Sequence, residues 1–168
     1  HHEMRCRFEH GDTQEWVMFG EDIGLASAFD LAICERAINY INFNAGATRI
    51  KFSINLSGES FEDDEFYVKL SNLLRKHKPK GLSQRLMFEI TESSHIKDIR
   101  RVSRYIQDLK AEGFFTALDD FEADDESMKF LRMIDVNAVK VDGRITTKIL
   151  TSQPDLALMK HIIKTCND

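Results

Sequence analysis

Cysteine, proline and glycine are all scarce in this chain, and each scarcity removes a class of protein. The three cysteines, Cys6, Cys34 and Cys166, are odd in number and widely spaced. They form neither a disulfide framework nor a zinc pattern, and read as reduced thiols of a cytoplasmic protein. Two prolines and eight glycines are too few for a disordered or linker-rich chain. No apolar run approaches the ~18 residues that span a membrane, and no signal peptide opens the sequence. Positive charge is short as well: 23 Lys and Arg against 28 Asp and Glu leave a net charge of −5. Duplex nucleic acid normally wants a basic face and is not expected as a partner. A glycine-rich dinucleotide fingerprint is also missing.

What is present is ordinary globular composition, 42% hydrophobic and 30% charged over 168 residues. That length suits one domain, residues 1–168, with a real core. His1-His2 could be the remnant of a purification tag and is given no functional weight.

Strand-like and helix-like patterns alternate along the chain. Glu3 to Phe8 is a short strand candidate, and Arg49 to Leu56, Arg85 to Thr91, Phe114 to Asp120 and Val136 to Val141 are further strands. Between them, Phe29, Ile33, Ala37 and Ile41 fall on one helical face. Phe66, Leu70, Leu73 and Leu74 mark a second helix, with Ser60 as its expected N-cap. Ser93-Ser94 is expected to open a third helix carrying Ile96, Ile99, Val102, Ile106 and Leu109, which ends at Gly113. Later helices contain Met128 and Leu131, then Ile149, then Met159 to Ile163. Repeated strand–helix units predict an α/β fold with parallel strands and right-handed crossovers, either an open doubly wound sheet or a (β/α) barrel.

The chemistry-bearing residues favour the barrel, in which functional groups gather at the C-terminal ends of strands. Asn55, Glu89, Asp119 and Asp120 all lie at or near such ends, and Lys140 sits late in its strand. Glu3, Asn55, Glu89, Asp119 and Asp120 offer oxygen donors only, which suits hard divalent ions such as Mg²⁺ or Mn²⁺ rather than zinc. An adjacent Asp pair could let one carboxylate bridge two ions roughly 3.5–4 Å apart, the usual arrangement for attack on a phosphodiester. Lys140 would neutralise the phosphate or hold the attacking water. Each residue also has a plain alternative. The Asp pair could cap the next helix, Glu89 and Lys140 could face water, and Asn ends many strands. Met128, Phe130, Leu131 and Met133 read as core, and Glu62 to Glu65 as a solvated helix start.

With these residues assembled, the chain resembles the EAL domain family of cyclic-di-GMP phosphodiesterases. Ser53-Ile54-Asn55-Leu56-Ser57 is similar to the family's Asn-Leu-Ser strand end, and Phe88-Glu89-Ile90-Thr91-Glu92 to its Glu-x-Thr-Glu motif. Ala117-Leu118-Asp119-Asp120-Phe121 resembles Asp-Asp-Phe, and Val139-Lys140-Val141-Asp142 resembles Lys-Ile-Asp. Glu21-Asp22-Ile23-Gly24-Leu25 keeps the Glu and Gly-Leu of a helix-start motif. Glu3-Met4-Arg5-Cys6-Arg7-Phe8 aligns with Glu-Ala-Leu-Leu-Arg-Trp, keeping its glutamate and arginine. The resemblance implies a TIM-like barrel of the EAL type and a metal set of Glu3, Asn55, Glu89, Asp119 and Asp120 holding two Mg²⁺ or Mn²⁺. It further implies Lys140 as the positioner of the attacking water, Arg7 as a substrate-phosphate contact and Glu92 as a brace for the loop after Asp120. The implied reaction opens cyclic-di-GMP to linear pGpG in bacterial second-messenger signalling. A homodimer and flanking sensory or cyclase domains are the other implied partners, with membrane attachment, where it occurs, through those domains.

The pattern departs from the family after Asp-Asp-Phe. Gly-Thr-Gly-Tyr-Ser-Ser-Leu is replaced by Glu122-Ala123-Asp124-Asp125-Glu126-Ser127-Met128. Loss of both glycines is expected to make positive-φ backbone costly there, and a loop tied in the family to metal binding and dimerisation becomes acidic. This departure keeps a second reading open, a catalytically degenerate domain acting as a cyclic-di-GMP receptor or protein-interaction module. A whole barrel needs roughly 250 residues, so the chain is expected to lack the family's first strand and its C-terminal portion.

Overall fold

The structure is a computed structural model that describes residues 2–44, 50–77, 81–91 and 96–167. Its elements run β1 (His2–Met4), α1 (Thr13–Asp22), α2 (Ala26–Phe43), β2 (Phe52–Leu56), α3 (Asp64–His77), β3 (Leu86–Thr91), α4 (Ile99–Ala111), β4 (Phe115–Phe121), α5 (Asp125–Met133), β5 (Ala138–Val141), α6 (Gly143–Thr146) and α7 (Gln153–Asn167). The five strands are all parallel and lie in the order β1-β2-β3-β4-β5. Strand addition never reverses direction. A doubly wound sheet needs a reversal at its switch point, so this arc has barrel winding.

Register separates the two faces. Ile54 lies opposite Phe88, and Leu56, Ile90 and Leu118 follow one another across β2, β3 and β4. These side chains are buried and pack with Ile38, Ile41, Phe66, Leu70, Val102 and Ile106 of the helices. Burial of one strand face against amphipathic helices supplies most of the driving force, at about 25 cal/mol per Å² of apolar surface. The other face carries Glu3, Asn55, Glu89, Asp119 and Lys140, because side chains alternate along a strand. Among the described residues no helix is long and apolar enough to cross a membrane.

Several local expectations change. The first strand is only His2–Met4, shorter than the Glu3–Phe8 run. Helix α1 arises where Trp16, Val17, Met18 and Phe19 run together without helical spacing, and it has no buried residue. The buried stripe of α2 is Ala26, Asp30, Cys34, Ala37, Ile38 and Ile41, rotated from the stripe through Phe29 and Ile33. Ser60 does not cap α3. It lies in a 3-10 turn, Ser60–Glu62, while the Asp63 carboxylate accepts from the Glu65 and Phe66 amides. Glu62 is no idle solvated charge either, since its carboxylate accepts from the Lys97 and Asp98 amides, each at 2.5 Å. Asp98 caps α4; the Ser93-Ser94 pair lies outside the described residues. Met128, Phe130 and Leu131 are buried, but Met133 is 47% exposed. All three cysteines are free.

Candidate active site

The site is assembled from one residue or two at the end of each strand. Glu3 of β1 accepts from Asn55 Nδ2 of β2 at 2.7 Å. Glu89 of β3 lies opposite Asn55 in register. Lys140 Nζ of β5 donates to Glu89 Oε2 at 2.9 Å and to Asp119 Oδ2 of β4 at 2.8 Å. Asp120, next in the chain, points into the same cleft.

A bulge places both aspartates there. Leu118 pairs with Val139 and Phe121 with Val141, so Asp119 and Asp120 together oppose Lys140 alone. Without the extra residue, alternation would send neighbouring carboxylates to opposite faces. The bulge instead lets Leu118 and Phe121 both enter the core while the acidic pair between them faces the cleft. Asp120 takes φ 52° to do this, a left-handed conformation that Asp tolerates better than most residues. Ala123 follows at φ 61°, whereas Asp124 has φ −73° and Glu122 is not among the positive-φ residues. The strain therefore falls on Asp120 and Ala123, not on the two positions where the family has glycine. The Asp124 carboxylate accepts from the Ser127 amide and hydroxyl, both at 2.7 Å, and caps α5. That arrangement removes helix capping as the role of Asp119-Asp120.

The plain alternative for Glu89, a charge facing water, fails on burial and pairing, whereas Lys140 is 41% exposed and partly faces water. Glu89 is 3% exposed, and a carboxylate so buried needs the Lys140 cation beside it. Electrostatics follow from the same contacts. Partial burial works against the Lys140 ammonium, but its bonds to Asp119 and Glu89 prevail and raise its pKa. Burial, then the neighbouring Asp119 and Asp142, push the Asp120 carboxyl up. The Arg5 bond to Glu3, at 3.1 Å, is the leading influence holding Glu3 below the usual carboxylate range.

Arg5 was not foreseen as a site residue. The signal was available: two residues beyond Glu3 on a strand is the same face, and Arg5 stands where the family motif has an apolar residue. Asp30 was also missed, because it sits within a helix stripe. Arg7 lines the same cleft, whose volume is about 1380 Å³. Phe8, Trp16, Phe19 and Phe29 form its apolar wall. Glu92 lies outside the described residues.

The family model of the EAL domain matches residues 1–168. The chain belongs to the EAL domain family. Among curated relatives, this EAL domain is 27% identical over 169 residues to the cyclic di-GMP phosphodiesterase PdeF of Escherichia coli (strain K12), covering 96% of this chain and 22% of that protein. It is 31% identical over 113 residues to the cyclic di-GMP phosphodiesterase PdeA of Borreliella burgdorferi, covering 67% of this chain and 17% of that protein. The chain thus spans about a fifth of the length of the curated relatives it matches. Among solved structures, the Xanthomonas citri FimX EAL domain in complex with c-diGMP aligns with TM-score 0.75 at 18% identity, over 92% of this chain and 60% of that one. The PaMucR phosphodiesterase in its c-di-GMP complex aligns with TM-score 0.75 at 21% identity, over 97% of this chain and 68% of that one. At these identities the structures establish the fold, a partial TIM-like barrel of the EAL type.

The EAL site has the donor chemistry for a hard divalent ion. All its candidate ligands are oxygens, and among the described residues Asn55 Oδ1 is buried without a hydrogen-bond partner. A buried acceptor left unpaired is costly, and a cation would satisfy it. Among the described residues no three acidic, His or Cys side chains stand as a closed cage. Lys140 lies between Glu89 and Asp119 instead, and Arg5 holds Glu3.

Proposed function

We propose that this EAL domain binds cyclic-di-GMP and hydrolyses one of its phosphodiester bonds to give linear pGpG, with Mg²⁺ or Mn²⁺. The observation that carries the proposal is the convergence of Glu3, Asn55, Glu89, Asp119, Asp120 and Lys140 on one end of the sheet, with Asn55 Oδ1 meeting no donor among the described residues. Relatives named cyclic di-GMP phosphodiesterase support it.

Glu3, Asn55, Glu89, Asp119 and Asp120 are the residues that would hold the ions. A bound pair of divalent ions would polarise the phosphate and lower the pKa of water. Lys140, anchored on two carboxylates, holds a cation and a hydrogen-bond donor where the attacking water would approach. Arg7, which lines the cleft, would take a non-bridging phosphate oxygen, to which a guanidinium is suited. Glu92 completes the proposal as a brace for the loop after Asp120. Attack of water oxygen on phosphorus breaks one P–O3′ bond; the departing O3′ takes a proton, leaving a 5′-phosphate. The cleft exceeds the ~300–1,000 Å³ of ordinary small-molecule sites, which suits a cyclic dinucleotide. Flanking sensory or cyclase domains and homodimer formation belong to the same proposal.

A second reading, a receptor without turnover, is favoured by the acidic replacement of the Gly-Thr-Gly segment beside Asp120. Equilibrium binding separates the two. Cyclic-di-GMP affinity is expected to rise when Mn²⁺ is added, and Asn55→Leu is expected to abolish that rise while leaving metal-free binding in place. Binding that ignores Mn²⁺ in the unmodified protein would favour the receptor. No binding under either condition would remove both readings.

A further inference from the structure

Asp30 is a buried carboxylate that the proposed chemistry does not use. It projects from α2, is 6% exposed, and one of its oxygens accepts two hydrogen bonds from the turn after β2. The Ser57 amide donates to Asp30 Oδ2 at 2.7 Å, and the Ser60 hydroxyl donates to the same oxygen at 2.7 Å. The turn is closed on itself by the Ser60 amide to the Ser57 carbonyl and the Phe61 amide to the Gly58 carbonyl. Ser60 is fully buried, and the next residue, Phe61, is sealed in the core. Ser57 is only two residues beyond Asn55, with buried Leu56 between them. Asp30, Asn55 and Ser57 line one cleft.

A carboxylate does not enter a helix stripe for packing, since burying it costs free energy unless its bonds compensate. Both bonds here are charge-assisted, roughly twice as strong as neutral ones. They tie the rigid helix α2 to the segment that ends β2. Outer contacts of this kind orient the residues that touch metal or substrate. We propose that Asp30 is a positioning residue for Asn55. It pins the turn of residues 57–60 and so sets how Asn55 meets Glu3; only the catalytic consequence rests on the phosphodiesterase reading.

The test is ¹⁵N NMR on the full chain, reading the Asn55 side-chain amide, which donates to Glu3, and the exchange rate of the Ser57 amide. Loss of one resonance pair in Asn55→Ser assigns the first signal. Asp30→Ala is expected to shift the Asn55 side-chain amide and to speed Ser57 exchange by about tenfold. Asp30→Asn keeps an acceptor oxygen in place and is expected to preserve both. Should Asp30→Ala fail to fold, Ser60→Ala removes one of the two bonds and is expected to move both signals in the same direction.

An Asn55 amide unmoved in Asp30→Ala, or in Ser60→Ala where that variant stands in, overturns the proposal. So does an Asp30→Asn protein that moves it as far as alanine does. For turnover, Asp30→Ala is expected to lower kcat by about 10–100-fold, with rescue by asparagine. If the unmodified protein makes no pGpG, the functional reading falls while the NMR arms still decide the role of Asp30.

Discussion

Lys140→Met is expected to lower the stability of the domain by about 3 kcal/mol, a fall in melting midpoint of roughly 6–12 °C, and to reduce cyclic-di-GMP hydrolysis by ~10²–10⁴-fold. The stability effect comes from what remains rather than from what is removed. Glu89 is almost fully buried, and Asp119 stands on the other side of the same ammonium. Methionine fills much of the volume but leaves two carboxylates facing each other with no cation between them. Lys140 is itself 41% exposed, so the penalty belongs at the low end of that known for broken buried pairs. The double variant Lys140→Met/Glu89→Gln discriminates the cause. Removing the stranded charge is expected to recover most of the lost stability, giving a large coupling between the two positions. Additive effects would mean that Lys140 and Glu89 do not act as a pair. Turnover should not recover in the double variant, because the donor proposed for the attacking water is missing and Glu89, a proposed metal ligand, has become an amide.

Asp30→Asn is expected to make the protein more stable at neutral pH and to leave it nearly unchanged in acid. Burial is the main influence on Asp30, only partly offset by the Ser60 and Ser57 bonds, and it pushes the carboxyl from 3.8 up to about 6. The folded state therefore keeps a proton that the unfolded chain releases between those two values. The group's favourable contribution is complete below pH 3.8 and is lost as pH rises through about 6. A separation of about two pH units corresponds to about 3 kcal/mol, the disadvantage of carrying an ionised Asp30 at pH 7.5. Asparagine carries no charge at any pH. Denaturant unfolding across pH should show the variant's advantage growing from near zero at about pH 4 to about 2–3 kcal/mol at about pH 7.5. A difference that stays flat with pH would mean that Asp30 does not titrate in this window.

Much of the architecture was legible because strand–helix alternation is written in long apolar periods. Five strands, their order of appearance and most of the helices between them follow from that pattern, and register adds that all five are parallel and singly wound. Five candidate site positions, Asn55, Glu89, Asp119, Asp120 and Lys140, could be named because charged or amide residues late in apolar strands stand out against their neighbours; Glu3, which opens its strand candidate, could not be reached that way. The bulge at Asp119-Asp120 could not be read that way. Strict alternation separates adjacent side chains, and only the pairing of Leu118 with Val139 and Phe121 with Val141 shows that both face the cleft. Helix α1 was hidden for a related reason, since its apolar residues are contiguous and its burial is slight. Ser60 shows a tertiary contact overriding a local one. Its position suits an N-cap, yet its hydroxyl bonds Asp30 from another helix and Asp63 does the capping. Arg5 falls on the face of Glu3 in the Glu3–Phe8 strand candidate; in the structure it lies just past β1, bonded to Glu3 and lining the cleft.

Direct detection of pGpG tests the central claim. The protein is incubated with cyclic-di-GMP and Mn²⁺, and the linear product is resolved by chromatography beside a Glu3→Ala variant. The site described predicts steady pGpG formation by the unmodified protein, lost on adding a chelator and reduced by about 10³-fold in Glu3→Ala. Cyclic-di-GMP that binds but stays intact, with the two proteins indistinguishable, would contradict it.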